Sequence, residues 1–154
     1  MMRTDGQASR ASRCSPRAQE DPTMIDHLST YATDYAATKR FYDAVMPALG
    51  HRCVMELTAS WNPEWPEQRM CAYGPGEKPI YWVIEARGSS TPRHVAFVAG
   101  TRAAVDAFHR IGLEAGAKDH GAPGIRAHYH PTYYGAFLLD PDGNNVEAVC
   151  HAPG

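Results

Sequence analysis

The sequence predicts an α+β domain built from two tandem βαβββ modules. Three observations carry that expectation: a gapless internal repeat at an offset of 67 residues, a capped amphipathic segment in each copy, and short strand-like runs separated by turn residues after each segment. Displacing the chain by 67 positions sets His27 on His94, Ala32 on Ala99, Ala36 and Ala37 on Ala103 and Ala104, Phe41 on Phe108, and Ala48 on Ala115, six identities in the 24 positions from 27 to 50. The same offset sets Gly76 on Gly143. The modules are therefore placed at 24–90 and 91–154, within a single domain 24–154.

Each element has a local reason. A β-branched and aromatic run opens each copy, from Ile25 to Thr33 and from His94 to Ala99, and leads to a capping residue, Asp34 or Thr101. Apolar residues then recur at helical spacing, with Ala37, Phe41, Val45 and Leu49 in the first helix and Ala104, Val105, Phe108, Ile111 and Ala115 in the second. Gly50 and Gly116 stop the helices. Strands are expected over 52–58, 69–73 and 80–86, and again over 134–139 and 145–150, with hairpin turns at Pro75-Gly76 and Asp142-Gly143. The stretch 119–132 is less regular and holds the remaining strand.

Residues 1–23 carry four Arg, three Ser and two Pro with almost nothing large and apolar, so they read as a disordered leader, with Met24 a natural start for the folded part. The remaining 131 residues hold 11 Lys and Arg against 14 Asp and Glu, a charge of −3. That balance argues against nucleic acid as a partner. No window approaches the roughly 18 consecutive apolar residues of a membrane span, so a soluble, cytoplasmic protein is expected. Cys14, Cys53, Cys71 and Cys150 match neither a disulfide framework nor a zinc pattern, and read as reduced thiols.

The repeat singles out certain residues for chemistry. His27 and His94 occupy matching places on the first strands of two copies, and such copies associate through an approximate two-fold. Ile25, His27, Ser29 and Tyr31 share one strand face, as do His94, Ala96 and Val98. Glu147, in the apolar strand NNVEAV, is the candidate third ligand, because a buried carboxylate needs a cation or a strong donor. Taken singly, a strand histidine is more often a hydrogen-bonded core residue and a buried Glu usually has an Arg partner. Two His and one carboxylate with open positions suit Fe(II), Mn(II) or another divalent ion.

The segments MIDHLSTYATDYAATKRFYDAVMPALG, RHVAFVAGTRAAVDAFHRIGLEAG and YYGAFLLDPDGNNVEAV resemble the vicinal oxygen chelate superfamily, the glyoxalase, bleomycin resistance protein and extradiol dioxygenase group, over about residues 24–151. The resemblance implies paired modules whose mixed sheets form a cup around a divalent metal ion, here Fe(II), Mn(II), Ni(II) or Zn(II), with His27, His94 and Glu147 as ligands. It also implies a homodimer and a small-molecule substrate chelated through adjacent oxygens. Members of the glyoxalase I type have a fourth, carboxylate ligand, and the 67-residue offset sets Glu147 opposite Ile80, with Glu85 facing the other way. Extradiol dioxygenases use three ligands and have a histidine before the last hairpin, here His130, although their usual tyrosine is Phe137 here. The reaction expected is that of a lyase or isomerase, or of an extradiol-type dioxygenase.

The segment HYHPTYYG, residues 128–135, supplies further groups. His128, His130, Tyr133 and Tyr134 are expected near the ion as acid, base or oxyanion donor, and a loop of polar and aromatic residues is the plainer alternative. His51, His109, His120 and His151 read as solvated. A different class of function is a metal-free protein that sequesters an aromatic ligand, as bleomycin resistance proteins do, with Trp61, Trp65, Tyr73, Tyr81 and Trp82 as its lining.

Overall fold

A computed structural model describes residues 27–153. The leader at 1–23, Ile25 and Cys14 lie outside the described residues. The first module runs β1 (Leu28–Ala32), α1 (Tyr35–Val45), β2 (Arg52–Thr58), β3 (Arg69–Gly74) and β4 (Tyr81–Glu85). The second repeats it with β5 (His94–Val98), α2 (Arg102–Glu114), β6 (Lys118–Ile125), β7 (Tyr134–Leu139) and β8 (Asn145–Cys150). The two mixed sheets have the same order, β1-β4-β3-β2 and β5-β8-β7-β6, each with its first and last strands parallel. This is the α+β architecture of two tandem βαβββ modules. Among the described residues no helix is long and apolar enough to cross a membrane.

Both helices start where the sequence places their caps. Asp34 accepts from the Ala37 amide at 3.0 Å and Thr101 from the Ala104 amide at 3.1 Å. They also end alike. Gly50 and Gly116 take left-handed φ of 77° and 97°, and each is followed by an amide that reaches back five residues, His51 to Met46 and Ala117 to Gly112. The first helix is shorter than its periodicity predicts. Pro47 has no amide to donate, so the chain tightens at Met46–Leu49 into a 3₁₀ turn instead of continuing to Leu49 as an α-helix. β6, rich in Gly and Pro, has two register shifts against β7, which is why it shows no clean alternation.

The modules share one core. Phe41 and Val45 of α1 and Leu138 of β7 crowd Gly112 of α2, so the two helices meet where a side chain is missing. The DPDGN segment between β7 and β8 clamps the halves together. Asp142 accepts from the Thr33 amide at 2.8 Å, from the Thr33 hydroxyl at 3.0 Å and from the Thr38 hydroxyl. Asp140, buried, accepts from Tyr42 at 2.8 Å and from the Asn144 side chain at 2.9 Å, and Asn144 also donates to Thr30 at 3.1 Å. Burial raises the Asp140 carboxyl above its usual range, against the pull of these donors. Cys53, Cys71 and Cys150 are free thiols.

Strand alternation leaves one face of each sheet open. On β5, Val95 and Phe97 pack on the core while His94, Ala96 and Val98 are exposed, Val98 at 73%. On β1, Thr30 and Ala32 are buried and Tyr31 faces out.

Candidate functional site

The open face of the second sheet gathers a histidine, a carboxylate and a phenol. Ala96 pairs with Glu147 across β5 and β8, which puts Glu147 on the face of His94, beside Phe137 of β7. Although that face is open, Glu147 is only 2% exposed. Its Oε1 accepts from the Tyr133 hydroxyl at 2.5 Å, and its Oε2 lies 3.3 Å from His94 Nε2. Burial, and then the bond to Glu147, push the Tyr133 phenol up to about 12, so it keeps its proton at neutral pH and donates it. Gly135 makes this packing possible, because a Cβ there would stand 2.9 Å from Glu147 Oε1 and 3.1 Å from Tyr133 Cε1.

The second imidazole nitrogen has a backbone partner. His94 Nδ1 lies 3.2 Å from the backbone oxygen of Asn145, and a carbonyl can only accept, so Nδ1 carries the hydrogen. Neutral His94 therefore points the lone pair of Nε2 at a carboxylate oxygen. Two acceptors 3.3 Å apart repel unless a positive charge lies between them, either a proton on Nε2 or a cation. His94, Asn145, Glu147, Phe137, Tyr133 and Tyr129 enclose an open pocket of about 460 Å³ at this pair. The Tyr133 ring is held edge-on between Tyr129 and His151, with centroids at 5.2 and 5.1 Å.

The family model of the Glyoxalase/Bleomycin resistance protein/Dioxygenase superfamily matches residues 24–148. The chain belongs to that superfamily. No curated protein matches it. Among solved structures, a glyoxalase/bleomycin resistance protein from Albidiferax ferrireducens T118 superposes with a TM-score of 0.65 at 25% identity, over 83% of this chain and 99% of its own. Lactoylglutathione lyase from Agrobacterium tumefaciens gives 0.57 at 20% identity, over 85% and 96%. A mutant of the genomically encoded fosfomycin resistance protein from Listeria monocytogenes, solved with Mn(II) and 1S,2S-dihydroxypropylphosphonic acid, gives 0.59 at 12% identity, over 81% and 90%. The last two share the fold.

Superfamily membership does not by itself bring the expected residues together. His27 is exposed and immediately precedes β1, in the other module. Among the described residues no three His, Cys, Asp or Glu side chains group so as to hold a metal ion, and His94 and Glu147 meet without His27. Tyr133 joins them. Tyr134 does not, because its hydroxyl donates to Asp106 of α2 at 2.7 Å, on the helix side of the sheet. Adjacent residues at a strand start face opposite ways. His130 bonds Thr132 within its own turn at 3.0 Å, and the ring of His128 packs on Tyr129 at 4.2 Å. His151 packs its ring on Tyr133, so it is a neighbour of the site.

Register also moves the counterpart of Glu147. Ala96 stands two residues after His94 as Ser29 stands two after His27, and Ser29 pairs with Trp82. The matching position in the first module is therefore Trp82 rather than Ile80. Glu85 stays off this face, its carboxyl lowered by the Arg69 side chain. The aromatic residues of the alternative lining do not converge. Tyr73 and Tyr81 border an apolar cavity of about 60 Å³ with Met46 and Phe97, Trp61 is 68% exposed, and Arg87 covers Trp65.

Proposed function

We propose that the chain is a divalent-metal-dependent enzyme, a lyase or isomerase or an extradiol-type dioxygenase, acting on a small molecule through adjacent oxygens. The observation that carries this reading is the placement of His94, whose Nε2 stands 3.3 Å from Glu147 Oε2 while Nδ1 is anchored on a backbone carbonyl. Ligating histidines are anchored in this way. An imidazole nitrogen and a carboxylate oxygen this close could both hold one divalent ion. His27 is the proposed third ligand. Since His27 lies apart from the pair within one chain, a second copy supplies it, and a homodimer is part of the proposal.

Bound there, a divalent ion would act as a Lewis acid on two neighbouring substrate oxygens. The chain's own groups do the rest. Tyr133 holds its proton at Glu147 Oε1 and fixes that carboxylate in place. Tyr129 and Phe137 wall the pocket. The fosfomycin resistance protein that shares the fold was solved with Mn(II), which makes Mn(II) a reasonable first ion to try.

Metal content of protein purified without chelator tests the reading. Near one ion per chain is expected, lost in His94→Ala and in Glu147→Gln. If His27 comes from a second copy, mixing His27→Ala with His94→Ala chains restores part of that content. A metal-free protein that binds aromatic ligands equally well with and without His94 would instead be a sequestering protein.

A further inference from the structure

The same open face carries a guanidinium that the His94–Glu147 pair does not use. Arg126 follows β6, and its amide donates to the Tyr133 carbonyl at 2.8 Å, closing the loop that presents Tyr129 and Tyr133. Its side chain folds back along the sheet. Nη2 donates to the Ala122 carbonyl at 2.6 Å, and the guanidinium carbon lies 5.6 Å from the centroid of the Phe137 ring. Gly124 leaves its space open, since a Cβ there would stand 3.3 Å from a guanidinium nitrogen. Phe137 also stacks with the His94 imidazole, at 6.4 Å and 26°.

A half-buried guanidinium has five N–H donors, and here one side-chain bond uses them. Among the described residues no carboxylate pairs with Arg126. Its planar fork matches a two-oxygen anion. We propose that Arg126 is the anion-binding residue of this site, and that the substrate carries a carboxylate or phosphoryl oxyanion on a skeleton lying across Phe137. The two ring distances, 6.4 and 5.6 Å, place the guanidinium within about 12 Å of the imidazole, so the anion and the chelating oxygens belong to one small molecule. The proposal rests on the reading of the His94–Glu147 pair for the chelating end only.

Binding of benzoate, phenyl phosphate and the uncharged benzamide to metal-free full-length protein, followed by NMR titration, tests it. At least one of the two anions should bind at least tenfold more tightly than benzamide, and which one does distinguishes a carboxylate from a phosphoryl substrate. Arg126→Gln should lose at least tenfold in that affinity. Arg126→Lys, which keeps the charge but not the fork, should fall between, and Arg110→Gln, which removes an exposed guanidinium of α2 outside the site, should bind the anion as the wild type does. Unchanged anion affinity in Arg126→Gln, or no detectable binding of either anion to the wild type, would overturn the assignment whatever the metal content proves to be.

Discussion

Replacing Tyr133 by Phe removes one hydroxyl and little else. The Phe ring can keep its edge contacts with Tyr129 and His151, while Glu147 Oε1 loses its 2.5 Å donor at 2% exposure. A hydrogen bond to a charged group contributes about 1.5–3 kcal/mol, and water cannot easily take over at a site this closed. One kcal/mol moves the melting temperature of a domain this size by about 3–5 °C, so a fall of about 5–15 °C is expected in chelator-treated protein at pH 7. Differential scanning calorimetry reads it directly. Adding Mn(II) should narrow the gap if the proposed ion binds, because an ion on Glu147 would take over the compensation that the phenol provided. A fall under about 2 °C would mean that the phenol does not hold the carboxylate, and a gap that Mn(II) leaves unchanged would remove the ion from Glu147.

Three further outcomes follow from the packing. Gly112→Ala gains about 1 kcal/mol of helix propensity but sets a Cβ 2.3 Å from Leu138 Cδ1, with Phe41 at 3.3 Å and Val45 at 3.4 Å closing the exits, so urea denaturation should show a net loss of about 1 kcal/mol. Tyr42→Phe removes a fully buried hydroxyl that bridges Tyr81 at 2.7 Å and Asp140 at 2.8 Å, and should cost about 2–3 kcal/mol in the same measurement. Glu85 is held below its ordinary value by the donors of Arg69, so it stabilises the fold above the usual carboxylate range and loses that contribution as pH falls through its lowered value. Glu85→Gln should therefore flatten the acid limb of the urea midpoint between about pH 5 and 2 while leaving the helical circular dichroism unchanged.

Periodicity and caps are local, which is why Asp34, Thr101, Gly50 and Gly116 could be read in order along the chain. The early end of α1 was local too, since Pro47 alone accounts for it. Register was not. The link between the turn glycine and the strand is longer before β4 than before β8, so a single offset of 67 drifts by two residues and selects Ile80 where the ladder selects Trp82. Within the site, His94 and Glu147 were legible because a strand dictates their face, and Tyr133 because it lies next to one. Tyr129 and Arg126 depend on how the loop from 126 to 133 folds back, through a hydrogen bond from the Arg126 amide to the Tyr133 carbonyl that no pattern of residue types announces. The DPDGN segment carries the resemblance, and its physical work is to join the modules through Asp140, Asp142 and Asn144.

Duplication gave both modules the same frame, yet only the second carries the carboxylate, and the ladder shows why one substitution does not make the difference. Glu147 faces Phe137, whereas Trp82 faces Ala72, so the bulky and the small side chain have changed strands. Two residues before those partners stand Gly135 in the second module and Met70 in the first. Gly135 leaves the space in which Glu147 Oε1 lies against Tyr133, while the Met70 side chain, 9% exposed, would occupy the corresponding space. A carboxylate placed at position 82 would therefore meet a thioether where Glu147 meets a phenol donor, and would be buried without compensation. The working set is Glu147 with Gly135 and Tyr133, and the site belongs to one module because the other has Met70 and Trp82 where Gly135 and Glu147 stand.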